Sequence, residues 1–386
     1  MKNFNFYNPT RIFFGKDETD KIGKLSKQYG DNVLLVYGKT AIKRNGLYDR
    51  VISRLKEENI NVFELPGIDP NPRIESIREG GELCKKHKID LVLAVGGGSV
   101  IDASKGIASA ALYDGDPWDF YSYKEESKGA LPIASILTLS ATGSEMNAGS
   151  VVTNFATKEK NGWGSPFTNP KFSILDPVNT FSVSKHQTAC GIVDALTHVY
   201  EFYFSSDQAY LNDRVCESIM KTVIHFGPIA LKDPENFEAR SNLMFSSTLA
   251  LNGLSGFGKT WDGFNHTTEH LLSAYYDIAH ADGLAILAPH WMDKILSKKT
   301  LNKFYEFAVN VWGVEESEDK MSVAKEGINR VYKFYEAIKM PLKLSDVEII
   351  DPPLDELAKR ATKNGTIGRY INLDYSDVLD ILNKAL

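Results

Sequence analysis

A chain of 386 residues can bury two cores, and 43% apolar with 24% charged residues is the make-up of an ordinary globular protein rather than a disordered or fibrous one. The net charge of −6 carries no basic excess, which argues against nucleic acid or anionic membrane as partners and leaves small molecules. No apolar h-region opens the chain and no apolar run is long enough to cross a bilayer, so a cytoplasmic protein is expected.

In chain order, Phe4-Asn-Phe-Tyr and Arg11-Ile-Phe-Phe14 flank an Asn-Pro-Thr turn and read as a hairpin. Its exposed edge suits pairing with a second subunit, and a homodimer is expected. Val33-Leu-Leu-Val-Tyr37 is a buried-strand pattern, 46–59 is helical, Asn61-Val-Phe-Glu-Leu65 is strand-like, 74–88 is helical, and Asp90-Leu-Val-Leu-Ala-Val95 is a second apolar strand. Further strands are read at 131–138 and 172–176, with a helix expected after the turn that follows the first of them. Such alternation implies a parallel sheet covered by helices on both faces. Past Ser182 the texture becomes helical throughout, at 186–204, 208–226, 234–254, 264–276, 283–295 and onward. The fold class is therefore α/β plus all-α, divided as 1–183 and 184–386. Cys84, Cys190 and Cys216 are too few and scattered for a disulfide framework or a thiolate metal cluster, and read as buried small residues.

The strand ending at Val95 runs into Gly96-Gly-Gly-Ser99-Val-Ile-Asp102-Ala-Ser-Lys105, which continues as a helix. Glycines let backbone approach an anion closely, and a helix N-terminus offers unpaired N–H groups and a favourable dipole. This is neither the G-x-G-x-x-G fingerprint nor a P-loop. Ser99 and Asp102 equally fit a capping box. After the first strand, Gly38, Lys39, Thr40 and Lys43 supply no acid for a ribose 2′-hydroxyl and two positive charges, which suits the 2′-phosphate of NADP. Leu137-Thr-Leu-Ser-Ala-Thr-Gly-Ser-Glu-Met-Asn147 offers Thr138, Ser140, Thr142 and Ser144 as donors to phosphate or carboxamide, although turn chemistry explains some of them.

Two windows in the second half carry ligand spacing. Asp194-Ala-Leu-Thr-His198 and His266-Thr-Thr-Glu-His270 each place two side chains on one helix face, and His280 follows. An isolated i,i+4 pair is more often a surface pair. Here both windows lie in apolar, small-residue stretches where unpaired charge is costly to bury, and a cation offsets that cost. Spacing alone leaves five candidates, Asp194, His198, His266, His270 and His280, for one divalent ion.

The Gly-Gly-Gly-Ser-x-x-Asp-x-x-Lys loop, the Thr-Gly-Ser-Glu turn, Asp-Ala-Leu-Thr-His and His-x3-His-x9-His, in this order, resemble the iron-containing (group III) alcohol dehydrogenases. The match covers essentially the whole chain and is nearest to the butanol dehydrogenase and NADPH-dependent aldehyde reductase branch. It implies a dehydroquinate synthase-like architecture, with an N-terminal Rossmann-like domain and a C-terminal all-helical metal-binding domain. It also implies hydride transfer between NADP(H), favoured over NAD(H), and short- to medium-chain aldehydes or primary alcohols such as butanal and butanol. By position it implies Asp194, His198, His266 and His280 as ligands of Fe2+, with Zn2+ as the alternative, and His270 as a histidine beside the substrate. On the cofactor side it implies Gly38, Thr40, Gly97, Gly98, Ser99, Asp102, Thr138, Ser140, Asn147 and Lys160, and Asn71 is taken with them.

The chain departs from the branch at Gly38-Lys-Thr40, where Gly-Gly-Gly-Ser is common, and at Trp261-Asp262, where the family often has Asp-Trp. A metal with an open position polarises a carbonyl oxygen, as bound water shows when its pKa falls to about 7. His270 is then the expected proton donor. The rivals are a dehydroquinate synthase-like or glycerol dehydrogenase-like enzyme on a polyol, and a non-catalytic nucleotide-binding regulator. A phosphorylated sugar calls for Lys and Arg around the metal, whereas Phe202, Tyr203, Phe264, Leu271 and Leu272 suggest an apolar pocket.

Overall fold

The computed structural model describes residues 1–363 and 365–386. In chain order the first part is β1 (Arg11–Phe14), α1 (Ile22–Lys27), β2 (Asn32–Tyr37), α2 (Ala41–Arg44), α3 (Leu47–Glu57), β3 (Asn61–Leu65), α4 (Ile74–His87), β4 (Leu91–Gly96), α5 (Gly98–Ala110), α6 (Trp118–Tyr121), β5 (Ile133–Leu137), β6 (Gly149–Asn154), β7 (Glu159–Gly164) and β8 (Phe172–Leu175). The rest is helical: α7 (Lys185–Tyr203), α8 (Tyr210–Lys232), α9 (Phe237–Ala250), α10 (Phe264–Tyr276), α11 (His280–Ile295), α12 (Leu301–Asn310), α13 (Lys320–Ala337), α14 (Leu354–Ala361) and α15 (Tyr375–Lys384).

Six strands form one sheet in the order β1-β8-β5-β4-β2-β3, and every pairing is parallel. The unbroken apolar runs of β2 and β4 follow from burial on both faces. Leu34, Val36, Val92 and Ala94 pack with α4 and α5, while Val33, Leu35, Tyr37, Leu91, Leu93 and Val95 pack with α1 and α3. The chain lays β3 outside β2 and then returns to place β4 on β2's other side. That reversal makes the C-terminal ends of β2 and β4 a switch point, where loops diverge and leave a crevice.

The chain packs as two compact units. Tyr7–Ser184 and Asp233–Asn252 form one; Met1–Phe6, Lys185–Lys232 and Gly253–Leu386 form the other. Helix α9 thus belongs to the sheet unit, where Phe245 meets Phe14 edge-on at 5.5 Å and the Thr248 hydroxyl donates to the buried Glu145 carboxylate. Packing and chain order part company for that segment.

Two expectations need correction, and one element went unread. The N-terminal hairpin does not form: residues 1–10 lie outside any strand, and β1 pairs in parallel with β8. The helix expected after β5 is a single 3-10 turn, Ser144–Met146, set off by Gly143 at φ 62. Gly143 is needed there because a Cβ in that left-handed conformation would also stand 3.0 Å from the Ser247 carbonyl. Beyond this turn β6 and β7 form a two-stranded antiparallel hairpin that no alternation in the sequence announces.

The turn is held by Lys105, whose side chain is wholly buried. Its Nζ donates to Ser144 Oγ (2.7 Å), Gly149 O (2.6 Å) and Asn147 Oδ1 (3.1 Å), with the carboxylates of Asp102 and Glu145 close by. Burial lowers its pKa to about 8, against the pull of those acids. Lys105→Met leaves Asp102 and Glu145 without a counter-charge. The expected cost is about 3–5 kcal/mol, read as a lower urea midpoint at unchanged m-value.

Candidate metal centre and nucleotide loop

Helix α7 is buried nearly all round, the pattern of a central helix rather than a surface one. It carries Asp194 and His198 one turn apart on one face. Helix α10 contributes His266, and the first residue of α11 is His280. The Nε2 atoms of His198, His266 and His280 lie 3.5, 3.8 and 3.8 Å from a single oxygen, Asp194 Oδ1. Ligand bonds of 2.0–2.2 Å in a tetrahedron put ligand atoms about 3.4 Å apart, close to these separations; Asp194, His198 and His266 form one close group, and His280 stands beside it in a group with Glu269 and His270. Asp194 Oδ1 and His266 Nε2 are buried with no hydrogen-bond partner, which is the state of a donor set built to hold something between its members. The residues fit a divalent cation.

The charges point the same way. Burial works to raise the Asp194 carboxyl, yet the three imidazoles hold it well below its ordinary value. Burial drives His198 down to about 3, the neutral form a metal requires. For His266, burial also opposes the charge, but Glu201 and Asp194 outweigh it and lift the ring to about 10.

Two carboxylates behind the imidazoles went unread in the sequence. Glu201 Oε2 accepts from His266 Nδ1 at 2.6 Å, while its Oε1 accepts from the backbone N–H of Asn265 (2.6 Å) and His266 (3.3 Å). Glu269 Oε2 accepts from His280 Nδ1 and its Oε1 from the Ser273 hydroxyl. Both are 0% exposed. Such carboxylate–histidine pairs fix which ring nitrogen faces inward. The signal was available: Glu201 is seven residues past Asp194 on one helix face, and Glu269 sits inside His-x-x-Glu-His.

His270 is not in the cluster of Asp194, His198 and His266, but groups with Glu269 and His280, its ring 5.5 Å from that of His280. The His280 side chain is 25% exposed, against 4–8% for the other three, so the set opens on the side where His280 and His270 stand. Tyr203, Phe264 and Leu272, read as pocket walls, are instead fully buried core, with Tyr203 edge-on to Phe204 at 5.4 Å and Phe264 stacked on Trp291 at 6.4 Å. Aromatic content alone does not distinguish a lining from a core. Asp262, from the Trp261-Asp262 departure, is buried and accepts the N–H groups of Arg369 and Tyr370, both at 2.8 Å.

In the sheet unit, the switch point gathers most of the cofactor candidates. Gly97 caps α5, and a Cβ on Gly98 would stand 2.3 Å from the Thr142 hydroxyl. Ser99 donates to the carbonyl of Pro70, beside the buried Asn71. Gly38 accepts from Gly67 N at 3.1 Å, and Thr138 N bonds Gly96 O at 3.0 Å, which brings Thr138 and Ser140 to the same edge. Lys160 lies on β7 opposite Thr153, whose N–H bonds Pro72 O at 2.8 Å. Narrow backbone clearance at a helix N-terminus fits a dinucleotide's pyrophosphate.

Asp102 and Asn147 are tied into the fold. Asp102 accepts from Ser144 Oγ (2.5 Å) and Val151 N (2.9 Å); the Asn147 amide bonds Gly143 O and Leu251 O while its oxygen accepts from Gly149 N and Lys105. The two lysines that suggested a 2′-phosphate both have company. Lys39 pairs with Asp69 at 2.9 Å, and Lys43 lies over the rings of Tyr37 and Tyr48, whose hydroxyls donate to Glu64.

A sequence profile described as "Iron-containing alcohol dehydrogenase" matches residues 9–177, and one described as "Fe-containing alcohol dehydrogenase family, C-terminal" matches residues 188–386. The chain belongs to the iron-containing alcohol dehydrogenase family. It is 48% identical to the probable NADH-dependent butanol dehydrogenase 1 of Bacillus subtilis (strain 168), over 100% of both chains. It is 38% identical to an NADPH-dependent aldehyde reductase of Escherichia coli (strain K12), covering 95% of this chain and 94% of that one. The crystal structure of NADH-dependent butanol dehydrogenase A from Thermotoga maritima superposes with a TM-score of 0.96 at 39% identity, over 100% of this chain and 99% of that one. The resemblance read from the glycine loop and histidine spacing therefore holds over the full length.

Membership makes the chain an oxidoreductase acting on alcohols and implies a divalent metal and a nicotinamide cofactor. No described helix is long and apolar enough to cross a membrane. Glu201→Gln keeps the size of the side chain but removes the charge that orients His266. Retention of divalent metal is expected to weaken about 10- to 100-fold, measured as metal content after dialysis against graded chelator.

Proposed function

We propose that this chain interconverts short- to medium-chain aldehydes and primary alcohols, such as butanal and butanol, with NADP(H). In this reading Asp194, His198, His266 and His280 hold one divalent ion, Fe2+ or Zn2+. The observation that carries it is the convergence of three Nε2 atoms on Asp194 Oδ1 in a chain of this family. The butanol dehydrogenase and aldehyde reductase relatives stand at 48% and 38% identity, against 29% for a 1,3-propanediol dehydrogenase of Citrobacter freundii, which favours the simple alcohol over the polyol reading.

When bound, the ion supplies Lewis acidity toward a carbonyl oxygen and the reduced nicotinamide supplies hydride. The chain's own side chains do the rest. Glu201 and Glu269 hold the Nδ1 protons of His266 and His280, so both rings present Nε2 inward. Reduction of an aldehyde takes up one proton beyond the hydride, and His270, at the open side next to His280, is placed to deliver it from a ring nitrogen. His270→Ala is expected to lower kcat by about 10²–10⁴-fold with metal content intact. Loss of metal in that variant would instead put His270 among the ligands.

For the nucleotide, Gly97, Gly98 and Ser99 receive the pyrophosphate, with Asn71, Thr138, Ser140 and Lys160 around it. Asp102 and Asn147 brace the turn beneath. Gly38, Lys39, Thr40 and Lys43 meet the adenosine end. The Lys39 side chain is 68% exposed and its pair with Asp69 is a weak surface ion pair, which a 2′-phosphate can displace. Asp69 still competes, so the preference for NADPH over NADH in kcat/KM is expected to be within about tenfold. An assay of NADPH and NADH oxidation over C2 to C8 aldehydes, with and without chelator, tests both points. Metal-independent oxidation, or no oxidation with any aldehyde, would sink the reading; a clear NADH preference would overturn the nucleotide assignment alone.

A further inference from the structure

A second cluster of ligating atoms stands in the helical unit, and nothing in the reading above uses it. His186 and Cys190 share one face of the first turns of α7, and Asp282 lies in the first turn of α11. Cys190 Sγ is 3.6 Å from His186 Nε2 and 4.0 Å from Asp282 Oδ1, and His186 Nε2 is 3.4 Å from Asp282 Oδ2. Cys190 thus departs from the expectation of a buried small residue; Cys84 and Cys216 meet it.

The spacing is that of a coordination shell. With a metal–sulfur bond of about 2.3 Å and metal–nitrogen or metal–oxygen bonds of about 2.0–2.2 Å, tetrahedral ligand atoms stand about 3.6 Å apart for S and N and about 3.4 Å apart for N and O. The Cys190–His186 and His186–Asp282 separations agree; Cys190 faces Oδ1 and His186 faces Oδ2 of Asp282, so a rotation of that carboxylate brings one oxygen to both. A thiolate and a carboxylate together balance a divalent charge. The His186 side chain is 53% exposed, which leaves a way in from solvent, while that of Asp282 is 11% exposed and anchors the inner side. A plain His186–Asp282 ion pair explains two of the three residues but gives no reason for a thiol at the same point.

We propose that His186, Cys190 and Asp282 form a second divalent-metal site, with three protein ligands and an open fourth position, suited to a thiolate-accepting ion such as Zn2+. Thiolate and imidazole donors favour Zn2+ over Mg2+ or Ca2+. The site is distinct from the Asp194 set but shares both its helices: Cys190 is one turn before Asp194 on α7, and Asp282 is two residues past His280 on α11. An ion there ties the start of α7 to the start of α11. The proposal does not depend on which ion or which residues serve the reaction.

Co2+ is the probe, because a thiolate ligand gives it a near-ultraviolet charge-transfer band that an Asp/His set cannot. Titration of the reduced full-length protein is expected to raise this band to saturation with one Co2+ per chain bound beyond the ion of the Asp194 set, and Zn2+ should abolish it. Cys190→Ser should lose the band, and His186→Gln should weaken Co2+ binding at this site by at least about tenfold. Zn2+ should also protect Cys190 from alkylation, read by peptide mass. Absence of the band in the unaltered protein, its persistence in Cys190→Ser, or unchanged affinity in His186→Gln would each overturn the proposal. His186→Gln alters a half-exposed side chain, so the test stands even where the Cys190 variant folds poorly.

Discussion

A carboxylate buried among imidazoles is the constraint on which the helical unit turns. Asp194 is 3% exposed and keeps one oxygen unpaired, with three ring nitrogens within 3.8 Å of it. Burying such a group is costly unless positive charge meets it. Much of the local architecture follows from that requirement. Helix α7 must run through the middle of the unit to carry Asp194 and His198, and α10 and α11 must start where His266 and His280 can face them. Glu201 and Glu269 then add negative charge behind two of the rings, which strengthens the demand for a cation and fixes ring orientation in one stroke.

The sheet unit answers a different constraint, the need to bring backbone rather than side-chain charge to a ligand. Parallel strand order creates the switch point, and glycine at 97 and 98 keeps it clear. Around it the polar residues divide by role. Lys105, Asp102, Ser144 and Asn147 form a mostly buried hydrogen-bonded network that holds the turn after β5, with the Glu145 carboxylate beside it accepting from Thr248. Gly38 and Thr138 instead lie at the strand ends and make main-chain bonds, to Gly67 and Gly96, while Ser99 bonds the Pro70 carbonyl through its hydroxyl beside the buried Asn71. Charge after β2 is balanced rather than simply positive, since Asp69 and Glu64 accompany Lys39 and Lys43.

Much of this was legible in the sequence, for identifiable reasons. Strands β2 and β4 are continuous apolar runs because both faces are covered, and such runs need no partner to be recognised. Helix α10 matches its expected span because its amphipathic spacing and its ligand spacing coincide. The hairpin of β6 and β7 was missed because it contains Gly149, Gly162 and Gly164 and no regular alternation; its cohesion comes from packing on α5 and α6. The N-terminal hairpin was expected from two aromatic stretches that part company: Phe4 lies in the helical unit, where it meets Phe257 at 5.5 Å, and Phe13 and Phe14 lie on β1 of the sheet unit. Tyr203 and Phe264 were placed in a pocket although they are core, since hydrophobicity says that a side chain is inside and not what it is inside of.

Sequence by itself determined the chemistry on offer: one carboxylate and four imidazoles at helical spacing, a glycine loop between strand and helix, and an order of motifs specific enough to name the family. Those are properties of local spacing, which a helix or a tight turn converts directly into geometry. Tertiary structure decided what depends on distant segments meeting. It decided that His280 comes within 3.8 Å of Asp194 Oδ1, that Glu201 and Glu269 stand behind the rings, that α9 packs with the sheet, and that His186 and Cys190 find Asp282. Each requires two helices to fix their relative rotation. That rotation is set by the whole of the buried surface between them, not by any one motif.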